Sequence, residues 1–229
     1  MIKTFKKIFR YFYKAEVPDL KPLTEREYRE KFDKSITKEA YEKAWSAKNF
    51  EIENYWKRAN YFWAFQVASF AGYFAVFNSG FYPKNTEVLY CVVCIGFITS
   101  VAWNLINKGS KSWQRNWENH VDMLEDDVTG PLYKIVSVKD TYSVSKINEI
   151  VSRFISITWA ILAIKYFADN ISFNPKQLHA VNWAVLLNTV NWTVLLSTIA
   201  VIYFTGAMFF GHGRGRFGKR EVTFYTRKN

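Results

Sequence analysis

The sequence predicts an all-α fold: a polytopic membrane protein with four transmembrane helices and long cytoplasmic helical extensions. Two uncharged runs carry this prediction, one at 61–77 and one at 88–106. At about 1.5 Å of rise per residue, each covers roughly the hydrocarbon thickness of a bilayer. The composition agrees, because 49% hydrophobic and 22% charged residues are typical of apolar spans separated by long polar segments. The short break between the runs predicts a transmembrane hairpin at 61–106.

Residues 1–60 predict a cytoplasmic N-terminal region made of an amphipathic helix, a linker and a stalk helix. Over 1–14, apolar and basic side chains alternate at helical spacing. This pattern is typical of a helix that lies on anionic lipid, and packing on a neighbouring subunit is the alternative. No cleavable signal peptide is apparent, so we expect the first span to be the insertion signal. The candidate lipid-binding residues are Lys3, Lys6, Lys7 and Arg10.

The polar stretch before the first span predicts two helices. Thr24 followed by Glu27 predicts a capping box at the start of a short helix. No Pro or Gly interrupts residues 37–71, so one long helix is expected to run from water into the membrane. A long helix with one apolar stripe needs a partner, either the second stalk of this protein or another subunit. The candidate oligomer-interface residues of this first stalk are Tyr41, Trp45 and Ile52.

Residues 107–149 predict a second cytoplasmic helical segment, antiparallel to the first stalk and able to pack on it. Its apolar stripe is spaced by four, four and three residues and adds Trp113, Trp117, Val121 and Leu124 to the candidate interface. Acidic residues occupy the opposite face, which could meet the basic N-terminal segment. Gly130 and Pro131 are expected to end the helix.

A second transmembrane hairpin is predicted at 150–210. Its first helix, 154–167, has only 14 residues and contains Lys165, and it reaches the length of a span only if it begins at Ile150. A re-entrant or interfacial helix is therefore the alternative to a full span. Its second helix, 189–210, carries no charge. Along it, Asn191, Thr198 and Thr205 recur every seven residues. This stripe either lines a water path or forms hydrogen bonds between helices.

Lysine and arginine are distributed unevenly among the polar segments. Residues 1–60 carry 15, residues 107–153 carry seven and residues 211–229 carry six, while the two connections within the hairpins carry one each. The positive-inside rule therefore places both termini and the middle segment in the cytoplasm. Residues 211–229 are predicted to be a basic cytoplasmic tail that contains a short β-hairpin.

Residue combinations typical of catalysis do not occur in the sequence. There is no nucleophile elbow or phosphate loop, and the predicted topology separates His179 from His120 and His212. We therefore expect neither an enzyme nor a metal or cofactor site. We interpret His120 and the acidic residues around it, Asp126 and Asp127 included, as a solvated helix surface. The net charge of +11 fits an anionic membrane surface, so no nucleic acid partner is expected.

Two stretches of the chain carry a family resemblance. YFWAFQVASFAGYFAVF and NKGSKSWQRNWENHVDMLEDDVTGPLYK together resemble the RipA family of octameric bacterial membrane proteins. The resemblance covers residues 40–135 approximately. It implies a protein of the bacterial cytoplasmic membrane that assembles as a ring of eight, and it implies no catalytic residue.

Three functional hypotheses follow. The first is a homo-oligomeric inner-membrane ring with a cytoplasmic helical crown, acting as a pore or conduit lined by Asn191, Thr198 and Thr205. The second is a membrane-anchored scaffold that recruits a cytoplasmic protein. The third is a defence-associated effector that breaches the bilayer. In each, the expected partners are further copies of the chain and anionic lipid on the cytoplasmic side.

Overall fold

The computed structural model describes residues 23–32, 34–79, 86–137, 141–170 and 191–210. These residues form five α-helices, with a 3₁₀ turn at Glu125–Asp127 and no strand, in agreement with the predicted all-α class. The helices are α1 (Glu25–Arg29), α2 (Lys34–Asn78), α3 (Thr86–Leu124), α4 (Val144–Asn170) and α5 (Trp192–Phe210). The helix predicted over 1–14, with Lys3, Lys6, Lys7 and Arg10, and the hairpin predicted near the C-terminus lie outside the described residues.

A long antiparallel pair, α2 and α3, organises the fold. α2 has 45 residues and α3 has 39, which correspond to about 68 Å and 58 Å at the usual helical rise. Contacts along the pair run in opposite chain directions. Tyr41 lies with Val121 at one end, and Gln66 Nε2 donates to Thr99 Oγ1 at 2.9 Å further along. The uninterrupted helix predicted over 37–71 is confirmed.

Local chemistry explains two boundaries. Thr24 Oγ1 accepts from Glu27 N at 3.3 Å, and Glu27 Oε2 accepts from Thr24 N at 2.8 Å. The predicted capping box at the start of α1 is therefore confirmed. After the 3₁₀ turn, Gly130 adopts a φ of 71°, a left-handed conformation that favours glycine. Pro131 follows. The helix has already ended at Leu124 and the 3₁₀ turn at Asp127, a few residues before the predicted stop.

The apolar halves of the helices share a core centred on α3. Its buried members are Leu89, Tyr90, Val93, Cys94, Trp103, Ile155, Trp159, Tyr166 and Val194. Gly96 is tightly packed in this core, because a Cβ at that position would lie 2.6 Å from Cδ2 and 2.8 Å from Cζ2 of Trp159. Cys94 is buried in the core and Cys91 is half-buried, and both are free thiols. Both positions suit small apolar residues that pack between helices.

Three stretches of the described residues are long and apolar enough to cross a membrane: Thr86–Asp127, Val144–Asp169 and Trp192–Phe210. The third predicted span, 150–167, thus belongs to a stretch of 26 residues that is long enough for a complete crossing. The predicted span at 61–77 is not among the three, because Gln66, Ser69 and several Tyr and Trp side chains lower its mean hydropathy. A fourth span and the side of the membrane on which each polar end lies stay predictions.

Candidate functional site

The polar ends of α2 and α3 form a compact unit with α1 and the chain that follows α3. We call this unit the crown; it comprises the described residues of 23–60 and 107–137. Tyr41, Ala44, Val121 and Leu124 are buried at its centre. Packed around them are the partly buried side chains of Tyr28, Phe32, Ala40, Trp45, Trp117 and Val128. The crown therefore has its own apolar core, separate from the core around Trp159.

Five of the seven predicted stalk-interface residues meet in the crown core of a single chain: Tyr41, Trp45, Trp117, Val121 and Leu124. Of the two partners that the sequence allowed for the first stalk, the second stalk of the same chain is the one that covers these residues. Ile52 and Trp113 do not join this cluster, and Trp113 is 44% exposed. Their role in an oligomer interface stays a prediction.

Lys48 is enclosed between aromatic rings at the centre of the crown. It is only 8% exposed, and its Nζ lies 3.4 Å from the ring centroid of Trp45 and 4.5 Å from that of Tyr133. Burial lowers the pKa of Lys48, and the nearby carboxylates of Glu118 and Asp122 partly oppose this effect. The rings supply the cation–π attraction that a desolvated ammonium needs. No sequence signal marks Lys48, because it stands in a helix with many charged residues.

A buried carboxylate fastens the chain after α3 to the crown. Glu125 is 0% exposed, and its Oε2 accepts from Tyr133 N at 2.8 Å. Its Oε1 has no hydrogen-bond partner among the described residues. Burial raises the pKa of Asp122, and the negative charge of Glu125 adds to the rise. The Tyr133 ring is thereby held over Lys48 and Trp45.

Basic residues from two segments neutralise the acidic turn after α3. Asp126 Oδ2 accepts from Lys134 Nζ at 2.6 Å and from Arg29 Nη2 at 2.6 Å. These hydrogen bonds, Lys134 first, hold the pKa of Asp126 below its ordinary value. Arg29 Nη1 also lies 3.5 Å from Asp127. The acidic face thus meets a basic residue of α1, and within the described residues no group of three or more His, Cys, Asp or Glu side chains could hold a metal.

His120 differs from the solvated residue that the sequence predicts. Its Nδ1 lies 2.5 Å from the hydroxyl of Tyr28, and its ring packs 5.4 Å from Trp117. Burial lowers the pKa of His120 and raises the pKa of Tyr28. The reason is α1, which folds back over this face of α3. Beside the contact lies a groove of about 170 Å³, lined by Leu23, Thr24, Glu25, Tyr28, Asn116, Asn119, His120 and Met123.

The predicted polar stripe of α5 faces α3. Asn191 Nδ2 donates to Glu87 Oε1 at 3.0 Å, and the hydroxyls of Thr198 and Tyr90 lie 2.7 Å apart. The Thr205 hydroxyl is buried and has no partner among the described residues. Two of the three stripe residues therefore form hydrogen bonds between helices, which is one of the two roles that the sequence allows.

A match to a known family decides which class of protein this is. The model of the octameric membrane protein family, 8xMP, matches residues 38–168. The chain belongs to the octameric membrane protein family. The resemblance seen in the sequence is confirmed at the level of this family. No curated protein and no solved structure matches the chain. Together with three apolar helices, family membership identifies a membrane protein.

The octameric membrane protein family match covers most of the crown and most of the core around Trp159. It includes nearly all of α2, all of α3 and most of α4, so Lys48, Glu125 and Trp159 all fall within it. α1 and α5 lie outside the match. The groove beside His120 and the polar stripe of α5 therefore depend on segments of this chain that the family match does not cover.

Two buried polar contacts lie within the matched region. Gln66 is 1% exposed, and its Oε1 accepts from Trp159 Nε1 at 2.8 Å. Asn104 Nδ2 donates to Ser156 Oγ at 2.7 Å, and Asn104 Oδ1 accepts from Ser152 Oγ at 2.9 Å. The Asn104 contact gives no sequence signal, because each of its members is an isolated small polar residue.

Proposed function

We propose that the protein is a homo-octamer of the bacterial inner membrane whose eight crowns form a scaffold on the cytoplasmic side. The observation that carries this proposal is the construction of the crown. It has its own core, its acidic turn is neutralised internally, and α2 and α3 continue from it into the apolar part without a break. A stiff unit of this kind suits binding and positioning better than chemistry, so we propose no enzymatic activity.

The packing of α2 supports four spans with both ends on one side. Within the apolar part, Gln66 bonds to Thr99 of α3, and a Cβ at Gly72 would lie 3.8 Å from Val92 Cγ1. The 61–77 segment thus lies at the same level as the apolar half of α3 and would cross the bilayer beside it. The excess of Lys and Arg in the polar segments then favours a cytoplasmic crown.

The groove beside His120 is the surface that we assign to a cytoplasmic protein partner. Asn119 and Glu25 are exposed on it, and Tyr28 and His120 form its floor. Amide, carboxylate and aromatic groups together favour a peptide segment over a nucleotide, since no lysine or arginine lines the groove to pair with a phosphate. Trp117, one of the predicted interface residues, packs in the crown core and is unsuited to test binding.

Asn119→Arg tests this assignment against Asn49→Arg, the same change at an exposed crown position away from the groove. We expect one protein to cross-link to the wild type and to the Asn49→Arg variant in intact cells. The same protein should not cross-link to the Asn119→Arg variant when the membrane contains equal amounts of the two variants. Loss from both variants, or from neither, would remove the groove as the binding surface. Matching helix content of the two purified variants serves as the folding control.

A conduit is the second candidate, because a closed ring of eight surrounds an axis. It predicts flux of ions or small solutes through liposomes that contain the purified octamer. Thr198→Val should then change the flux if the predicted stripe lines the path. An octamer that passes nothing would eliminate the conduit and leave the scaffold. The defence-effector hypothesis predicts toxicity on overexpression, which a viability assay measures.

A further inference from the structure

α4 presents a row of exposed apolar side chains opposite its buried face. The row consists of Ile147, Ile150, Phe154, Ile157, Ile161 and Ile164, which are 48–69% exposed. Their spacing alternates between three and four residues, the repeat by which two helices interlock side by side. The opposite face, with Ser152, Ile155, Trp159 and Tyr166, is buried against the rest of the chain.

Lipid alone does not account for this row. Its first two members, Ile147 and Ile150, lie on the same helical turns as Lys146, Glu149 and Arg153. Glu149 and Arg153 form an ion pair, and a charged pair is costly inside the hydrocarbon region. The start of the row therefore lies at the polar boundary of the membrane, where acyl chains do not cover isoleucine but a protein surface can.

The chain that leads into α4 is also unusually apolar for a polar segment. Leu132, Ile135, Val136, Tyr142 and Val144 are 61–89% exposed. Scattered single apolar residues on a surface are ordinary, but a run of this kind next to an apolar helix face marks a contact surface. Exposed apolar side chains thus occur both in the described part of the segment before α4 and along α4 itself.

We propose that the α4 row is the face through which one subunit contacts the next, so that its occupant is a second copy of this chain. The inference rests on the octamer of the proposed function and adds the position of the contact between its subunits, which we call the seam. A closed ring of eight uses head-to-tail contacts, so the row packs against a different face of the neighbouring subunit. β-Branched isoleucine suits such a seam, because its side chain loses little rotamer freedom on packing.

α5 supplies a matched control face. Trp192, Leu196, Ile199 and Tyr203 also form a row with three- and four-residue spacing and are 48–59% exposed. No charged residue occurs in α5. This row can therefore lie entirely within the hydrocarbon region of the bilayer, where lipid covers it. Equal substitutions on the two rows therefore compare a subunit contact with a lipid contact.

The experiment compares Ile157→Ala/Ile161→Ala with Leu196→Ala/Ile199→Ala in detergent. Native mass spectrometry over a dilution series gives the concentration at which each complex dissociates. We expect the α4 double variant to dissociate at a concentration at least tenfold higher than wild type, and the α5 double variant to match wild type. Both pairs are exposed within the subunit, so the helix content of each variant should match that of the wild type. Ile161→Ala is the milder variant if the double variant folds poorly, and a smaller shift in the same direction is expected.

Each outcome separates the inference from the proposed function. A wild type that is monomeric throughout would overturn the octamer and the seam with it. A wild-type octamer whose α4 and α5 variants both stay octameric would overturn the seam alone. Dissociation of the α5 variant in place of the α4 variant would also overturn it, and would move the seam to α5.

Discussion

At the scale of single residues, the core around Trp159 depends on buried polar groups that satisfy one another. Gln66 illustrates this, because its amide accepts from Trp159 Nε1 on α4 and donates to Thr99 on α3. One side chain therefore ties three helices together. In an apolar environment no water replaces a missing partner, so the loss of one hydrogen bond leaves a buried group unpaired.

Gln66→Leu should destabilise the helix packing by about 1 kcal/mol, the range found for hydrogen bonds between membrane helices. The physical reason is the indole N–H of Trp159, which loses its acceptor. Denaturant unfolding in micelles, followed by tryptophan fluorescence, measures the change. Ser69→Ala is the control, since Ser69 donates to the carbonyl of Phe65 in its own helix. Equal stabilities for the two variants would contradict the assigned role of Gln66.

His120 gives the crown a dependence on pH. Burial lowers its pKa, so the folded crown favours the neutral ring, and the stability that follows is complete above the ordinary pKa of about 6.5. It is lost as the pH falls from there through the lowered value. We expect the thermal midpoint of the wild type to fall between pH 7 and pH 5. His120→Gln should not show this step, and an unchanged step in the variant would assign it to another group.

At the scale of elements, α3 and α4 pack tightly against each other at Gly96. The Trp159 indole occupies the space that a side chain at this position would need. The contact of the large Trp159 ring with the backbone of Gly96 fixes the distance between the two helices. It also fixes the position of α4 along the axis of α3. This position matters because it determines where the Ile147–Ile164 row begins relative to the membrane boundary.

Gly96→Ala should destabilise the protein by about 1–3 kcal/mol, the usual cost of overpacking a core. Gly72→Ala is the matched control, because its Cβ would meet only Val92 Cγ1 at an ordinary 3.8 Å. Since alanine favours the helix over glycine, the control should be neutral or slightly stabilising. Thermal unfolding of the two variants in the same detergent tests both expectations, and a loss of stability in Gly72→Ala alone would reverse the interpretation.

At the scale of the whole molecule, the helical pair is longer than the bilayer is thick. The polar part of α2, residues 34–60, covers about 40 Å at 1.5 Å per residue, and the polar part of α3 covers about 25 Å. Their antiparallel packing places both parts at the same end. Side views of the complex in lipid nanodiscs should therefore show density on one face of the disc only, with a height between about 25 Å and about 40 Å at this helical rise. Density of similar height on both faces would contradict the proposed topology.

Much of this architecture could be predicted from the sequence, because helix signals are local. The capping box of Thr24, the unbroken α2 and the stripe of Val121 and Leu124 all follow from residue spacing. The enclosed Lys48 and the contact of His120 with Tyr28 could not be predicted in this way. Both depend on which segments fold back over the stalks, and a single lysine or histidine in a charged helix carries no information about its distant neighbours.

The absence of a break in α2 and α3 has a mechanical consequence. Neither described helix contains a proline between its apolar and polar parts, and the glycine there, Gly109, lies within regular helix. A torque that a bound partner applies to the crown would be transmitted along both helices, because neither contains a hinge. Because Gln66 bonds to α4 and Gly96 packs against it, a rotation of α2 and α3 would also move α4. The row that we assign to the subunit contact would move with it. Load on one crown would then be shared around the ring instead of being absorbed at a hinge.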